Sequence, residues 1–464
     1  MNDIRKLMSD SVLVRWSVLI LVSITMFSNY YFYDALSPLK SIVQEKLLWT
    51  SSDYGFFMSA YSISNVFLFT AVIGGVILDK LGIRITGFVF TVFMVLGSAL
   101  TAYGASDFYL NGGPGYHLMT SFLPAYSPSL KMMSLGFLFF GLGAETSIVV
   151  FTKAIVKWFK GRELALALGM NLAFARLGQA GAMIISPKLA NPQGDWTIAI
   201  WFGTLLLLAG LLTFVGYMIF DSRLDRQVKI NVTDETDIFR ISDLGKIITN
   251  RSFVYIALLC VTFYSAVFPF IKYAPDLLSN KFGMNVEKAG WIVSILPFGT
   301  ILFTPLFGTY TDRKGKSASL MIYGSLLLVV VHLMFSLTRI NPYIPMFLLG
   351  VAFSLIPAAM WPSVTKIVDE KRLGSAYGLM FSIQNIGLWA FPLLIGKVLD
   401  FSNPGVTPEA IKNGTMVYDY TNPVLMLAFM GVLGVFFAFM LKRDDKVSGF
   451  GLELPNISVA GKDL

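Results

Sequence analysis

Twelve stretches of this 464-residue chain are apolar over 20 residues or more, most of them separated by short connectors. They run roughly over 14–38, 54–78, 85–104, 132–156, 164–187, 196–220, 252–275, 289–311, 317–338, 343–367, 373–397 and 422–441. A helix rising ~1.5 Å per residue crosses the ~30 Å hydrocarbon core of a bilayer in about 20 residues. Lipid offers backbone polar groups no partner, so a chain of this kind spans as helices. The expectation is an all-α polytopic membrane protein with twelve transmembrane helices. Composition agrees: 55% hydrophobic residues, 14% charged residues and a mean hydropathy of +0.67 exclude an ordinary soluble globule.

The basic residues give the spans a direction. With the N-terminus inside, 25 of the 36 Lys and Arg fall at inside connectors and 10 outside, and Arg176 makes up the number. That asymmetry puts both termini in the cytoplasm. It also accounts for the net charge of +8, which is spread over short loops and calls for no nucleic acid. The apolar run after Arg15 is too long for a signal-peptide core and lacks a small-residue cleavage site, so it reads as a retained first span. A polar connector, 221–251, divides two six-helix halves, 1–220 and 252–446, and the tail 447–464 shows no periodicity and is assigned no structure. The long outside loops 105–131, with its turn at Gly112 to Gly115, and 400–422 read as tethers or lids. One cysteine, Cys260, excludes an intrachain disulfide and a cysteine metal cage; His117 and His332 form no ligand motif, and no cofactor is expected.

Two full charges interrupt the fourth and fifth spans. Glu145 lies 15 residues before Lys160 in the connector and Arg176 lies 16 beyond it, so both fall near the bilayer midplane. An ionised side chain there costs at least ~2.5–3.5 kcal/mol, and such residues are kept where they face a bundle interior or a watery cavity. The pair reads as the centre of a substrate site, or as a buried salt bridge that fixes helix packing. Gly136, Gly141, Gly143, Gly169, Gly178 and Gly181 supply small faces for close helix approach.

A repeat decides the architecture. Gly75, Asp79, Lys80, Gly82 and Arg84 follow the second span, and Gly308, Asp312, Arg313, Gly315 and Lys316 follow the eighth. The aspartates are 233 positions apart, half the chain, and both copies fall at inside connectors. There glycine permits close helix approach, and aspartate can cap a helix or pair with a cation. The duplicated signature resembles that of the major facilitator superfamily. The resemblance implies two six-helix bundles rocking about a midplane site, with Gly75, Asp79, Lys80, Arg84, Gly308, Asp312 and Arg313 in the inward-closing gate.

More specific stretches are NYYFYD from Asn29, GLGAETSI and KWFKGRELALALGMNLAFARLG across spans four and five, AVFPFI from Ala266, AAMWPSVTKIV from Ala358 and LGSAYGLMFSIQNIG from Leu373. Together they are similar to the lysosomal dipeptide transporter family. That resemblance implies that Glu145 and Arg176 hold the two ends of a dipeptide, and it favours uniport. A carboxylate suits the ammonium, and a guanidinium takes the carboxylate in two parallel hydrogen bonds. Ala144 stands where that family often has a glycine, and the N-terminus lacks its acidic dileucine sorting signal, which points to a bacterial inner-membrane relative. An accessory subunit is not inferable.

Around the pair, Tyr30, Tyr31, Tyr33 and Asp34 put phenols and a carboxylate in the outer part of the first span. Asp34 suits an outer gate, ammonium binding or proton carriage, or is a solvated helix end. Tyr264 lies mid-span, with Pro269 weakening the helix beyond it. Lys272 guards the mouth or snorkels to headgroups. Trp361 suits a pocket wall or inner gate, and Gln384 and Asn385 line the pocket or link helices. Proton coupling would need a carboxylate that titrates, for which Glu145 and Asp34 are candidates. The string Gly315-Lys316-Ser317 is no phosphate cradle, since Tyr310 stands where a glycine is required, and no metallohydrolase or serine-elbow motif suggests an enzyme. The rival readings are a carrier of another small organic anion or zwitterion, and a membrane sensor without flux.

Overall fold

The computed structural model describes residues 7–190, 195–227 and 241–456, and no strand occurs among them. Twelve helices of at least 18 residues follow one another: α1 Val12–Asp34, α2 Ser51–Leu68, α3 Thr70–Ala105, α4 Pro128–Phe159, α5 Leu164–Leu189 and α6 Ile198–Gln227. Then come α7 Arg251–Phe282, α8 Val286–Lys314, α9 Ser317–Leu337, α10 Tyr343–Ile367, α11 Leu373–Ser402 and α12 Thr421–Ser448. Ten of them are long and apolar enough to cross a membrane; α2 and α5 are not among the ten. These two carry Asp53 and Asn65, and Asn171, Arg176 and Gln179, which dilute their apolarity.

The second crossing differs in detail from the expected single helix. It breaks at Phe69, whose backbone is left-handed (φ 51°), and resumes as the start of α3. Gly82, at φ 78° and ψ 170°, then turns the chain within α3, so that α3 closes the second crossing and makes the third. A side chain at Gly82 would be strained by that conformation, which is what glycine relieves.

The chain divides into two compact units, Met1–Leu47 with Phe56–Glu235, and Leu48–Gly55 with Thr236–Leu464. Of the connector 221–251, residues 228–240 lie outside the described residues, as do 457–464 of the tail.

In the first unit, glycines bring backbones together. A Cβ at Gly136 of α4 would sit 2.5 Å from Thr101 N and 2.7 Å from Gly97 O of α3, and one at Gly178 of α5 would sit 2.2 Å from Phe27 O of α1. Gly141 and Gly143 are as tightly placed, against Tyr61 and Phe90 carbonyls. Gly181 has only ordinary contacts and Gly169 faces open space, so those two make no close approach. At one end of the bundle, buried Asp221 accepts from Lys157 Nζ (2.8 Å), Trp158 Nε1 (3.2 Å) and Tyr217 Oη (3.1 Å), and Arg84 pairs with Asp225 at 3.0 Å. The loop after α3 is no loose tether. It forms helices Asp107–Leu110 and Tyr116–Thr120 over a Tyr103–Tyr109–Tyr116 cluster, and Lys131 Nζ donates to Phe122 O at 2.6 Å.

In the second unit α7 runs unbroken through Pro269 and Pro275, so the expected weakening leaves no break. His332 of α9 places Nδ1 2.8 Å from Leu328 O and Nε2 3.2 Å from Ala266 O, joining α9 to α7. The loop after α11 carries a short helix, Pro408–Lys412, and is closed by reciprocal bonds between Asn403 and Asp419. The tail also has structure: residues 449–456 fold back beside the ends of α8, α9, α10 and α12, with Leu452 fully buried.

Candidate functional site

Glu145 lies near the middle of α4 and Arg176 near the middle of α5, each half-buried, so the charges occupy the same depth of the first unit. Glu145 Oε1 accepts from Tyr61 Oη of α2 at 2.8 Å. Asn65, one turn along α2, also reaches this carboxylate, and its Oδ1 accepts from Thr70 Oγ1 at 2.7 Å. Arg176 Nη1 donates to Gln179 Oε1 at 3.1 Å, and its guanidinium lies 5.8 Å from the Tyr30 ring centroid. Tyr30 is therefore the hub. It sits in the fields of Arg176, Glu145 and Asp34 together. Tyr33 extends the group, with its ring 4.5 Å from that of Tyr61.

The physics of this arrangement is that of a prepared polar patch. One phenol, Tyr61, donates to the acid and a π face supports the cation, so each charge is held without being neutralised by that support alone. The apolar floor is aromatic: Phe137 stacks on Phe57 at 4.8 Å, and Tyr61 lies 5.7 Å from Phe137. Gly141 lets α4 approach α2 closely enough for Tyr61 to reach Glu145, since a Cβ there would meet Tyr61 O at 2.1 Å.

Not all the expected residues join the group. Tyr31 is fully buried among Ala35, Ala182, Phe27 and Phe202, with its hydroxyl 3.2 Å from Ser186 Oγ, so it packs α1 against α5 and α6. One residue along a helix turns the side chain by about 100°, which separates Tyr31 from Tyr30. Asp34 is fully buried and accepts from Ser37 Oγ at 3.3 Å, which rules out a solvated helix end in this structure.

In the second unit, Trp361 of α10 is the centre of an aromatic group. Its Nε1 donates to Tyr264 Oη at 3.1 Å, its carbonyl accepts from Tyr377 Oη at 3.1 Å, and its ring stacks on Phe381 at 4.9 Å. Tyr264 in turn stacks on Phe268 at 5.5 Å. On α11, Asn385 is fully buried and its Nδ2 donates to Phe381 O at 3.0 Å, while Gln384 Oε1 is a buried acceptor without a hydrogen bond among the described residues. Lys272 is 3% exposed, so it does not snorkel; its carbonyl accepts from Tyr54 Oη at 3.2 Å.

The duplicated motif is only partly engaged. Asp79 pairs with Lys153 of α4, Asp312 accepts from Asn456, and Lys80 and Arg313 are exposed. A Cβ at Gly75 or Gly308 would meet nothing within 4 Å, so the close helix approach expected there is not made in this structure.

Tyr61, Asn65, Gln179, Tyr377 and Phe381 join these groups without having been marked as site residues by the sequence pattern. The i, i+3 spacing of Arg176 and Gln179 was a local signal for one of them. Tyr61 meets Glu145 across 84 positions of sequence, and nothing local announces that meeting.

Comparison with known proteins agrees with this architecture. The family model described as Major Facilitator Superfamily matches residues 22–392 and 273–455. The chain is 30% identical over 405 residues to the Lysosomal dipeptide transporter MFSD1 of Danio rerio, covering 84% of this chain and 82% of that one. It is 29% identical over 396 residues to the protein of the same name from Mus musculus, covering 83% and 80%. Among solved structures, the nucleoside transporter NupG superposes with a TM-score of 0.66 at 15% identity, over 92% of this chain and 99% of that one. The inward-open xylose transporter XylE from E. coli gives 0.67 at 13%, over 92% and 96%. At such low identity these two speak for the fold alone. With a family model spanning most of its length and relatives that are transporters, the chain is no enzyme: it belongs to the major facilitator superfamily and is a multi-pass membrane transporter.

Proposed function

We propose that this transporter carries dipeptides across the bilayer by alternating access as a uniporter, with Glu145 binding the peptide ammonium and Arg176 its carboxylate. The observation that carries the reading is the Tyr30 hub: one half-buried phenol on α1 is flanked by an acid from α4 and a base from α5 at the same depth. A zwitterion of short length bears the complementary charges. Binding through the termini leaves side chains free to vary. The names of the MFSD1 relatives support the substrate class. The excess of cations at inside connectors supports cytoplasmic termini.

The test is a thermal-shift screen of purified protein against a dipeptide library, with single amino acids and monocarboxylates as controls, repeated on Glu145→Gln. Ligand that binds the native state raises the melting temperature by mass action. Stabilisation by many dipeptides, absent for the controls and lost in the variant, is the expected result. A variant stabilised as well as the parent would remove Glu145 from the site, and stabilisation by monocarboxylates alone would point to an organic-anion carrier.

A further inference from the structure

The second copy of the duplicated motif already has an occupant, and it comes from the chain's own C-terminal segment. After α12, Gly449 caps the helix in the left-handed region (φ 71°) and Gly451 turns the chain again at φ 76°. The backbone so reversed lies along the α8–α9 corner. Leu452 O and Glu453 O accept from Ser317 N and Lys316 N at 3.0 and 3.1 Å. Glu453 then caps α9 with its carboxylate, which accepts from Ser319 N and Ser319 Oγ at 2.8 Å each. An anion at a helix N-terminus also meets the positive end of the helix dipole.

Four further hydrogen bonds clamp the segment. Lys366 Nζ of α10 donates to Gly451 O (3.1 Å) and Leu454 O (2.8 Å), Asp445 of α12 accepts from Leu452 N, and Asn456 Nδ2 donates to Asp312 Oδ1 at 3.0 Å. Gly315 makes room, since a Cβ there would fall 2.4 Å from Leu454 C. Asp312, Gly315, Lys316 and Ser317 are thus all engaged by residues 452–456. Asp79, the counterpart of Asp312, is held by Lys153 of its own unit and by no such segment among the described residues.

We propose that residues 449–456 form an intramolecular strap that occupies the second gate motif and withholds its aspartate and backbone donors from any other partner until the strap lifts. The motif surface is therefore a binding site whose ligand is a short acidic-apolar peptide, Gly-Phe-Gly-Leu-Glu-Leu-Pro-Asn, held in a turn closed by the bond from Leu454 N to Gly451 O (3.0 Å). The occupancy is built from backbone bonds, the Glu453 carboxylate and the Asn456 amide, with no covalent link, so it is reversible and specific in register. A strap of this kind couples the end of α12 to the corner where α8 turns into α9.

The experiment needs no transport substrate. The full chain is compared with one ending at Ser448 and with Glu453→Ala, by hydrogen exchange over residues 315–320 and by anisotropy of a labelled peptide of sequence 449–456. Exchange over 315–320 is expected to rise at least tenfold in the shortened chain and several-fold in Glu453→Ala. The labelled peptide should bind the shortened chain, not the full chain, and should restore protection, whereas a scrambled peptide should do neither. Unchanged exchange on shortening, or peptide binding that does not distinguish full from shortened chain, would overturn the proposal. Loss of exchange protection throughout the second unit, with no rescue by peptide, would also overturn it by showing the segment to be a plain structural prop.

Discussion

Replacing Arg176 by lysine isolates the anion-binding half of the proposed site. Arg176 lies mid-helix in α5, donates to Gln179 at 3.1 Å and rests over Tyr30 at 5.8 Å. Lysine keeps the charge but loses the planar fork, so of two parallel bonds to a peptide carboxylate one disappears. A hydrogen bond to a charged group contributes about 1.5–3 kcal/mol, and each 1.4 kcal/mol is tenfold in affinity, so dipeptide binding should weaken about 10- to 100-fold. Isothermal titration with a dipeptide and with its C-terminal amide completes the comparison. The amide has no carboxylate to lose. It should bind the parent weakly and the two proteins within about threefold of each other, because the missing group and the missing fork are the same interaction counted once. If Arg176→Lys weakened the amide as much as the free acid, the guanidinium would not be meeting the carboxylate, and the assignment of peptide ends would fail.

Further outcomes follow from other contacts. Tyr61→Phe removes the 2.8 Å donation to Glu145 but keeps ring contacts with Tyr33 and Phe137. Dipeptide affinity should fall about tenfold, N-acetylated peptide binding should not change, and the melting temperature should hold in a thermal scan. Gly136→Ala forces a Cβ to within 2.5 Å of Thr101 N, a backbone atom that cannot swing aside. It should cost about 1–3 kcal/mol as overpacking does, read as a lower melting temperature that Gly169→Ala, in open space, does not show. Asp10, ahead of α1, is held below its ordinary carboxylate value of 3.8 by the Arg162 hydrogen bond, then by the Leu7 backbone N–H. A depressed folded value means the contact contributes above 3.8 and is lost as pH falls through the lower folded value. Hydrogen exchange over residues 7–11 should therefore stay slow down to about pH 4 and quicken below that, while Asp10→Asn should be quick at every pH.

The twelve long helices and their order are legible without coordinates, as is the placing of Glu145 and Arg176 near the middles of two of them. A bilayer imposes a one-dimensional rule, in which length and polarity along the chain translate directly into depth. The duplicated motif was equally plain, because its residues are consecutive. The rotation of each helix was not. In a membrane bundle the lipid face and the packing face are both apolar, so periodicity does not distinguish them as it does in water. Hence Tyr31 read as a site residue beside Tyr30, while Tyr61 and Asn65 went unmarked on a helix too polar to count among the ten apolar spans.

The tail shows the same boundary from the other side. Residues 449–456 carry no helical or strand period, yet they are ordered by bonds to Lys316, Ser317, Ser319, Lys366 and Asp312, the farthest of them 144 positions away. What the sequence determined by itself was everything that depends on the energy of one residue against lipid or water. What only the tertiary structure decided was everything that depends on two distant residues meeting: Tyr61 with Glu145, Trp361 with Tyr264, the strap with its motif. The physical reason is that solvation acts on each side chain where it stands, whereas a hydrogen bond exists only once the fold has brought donor and acceptor within about 3 Å.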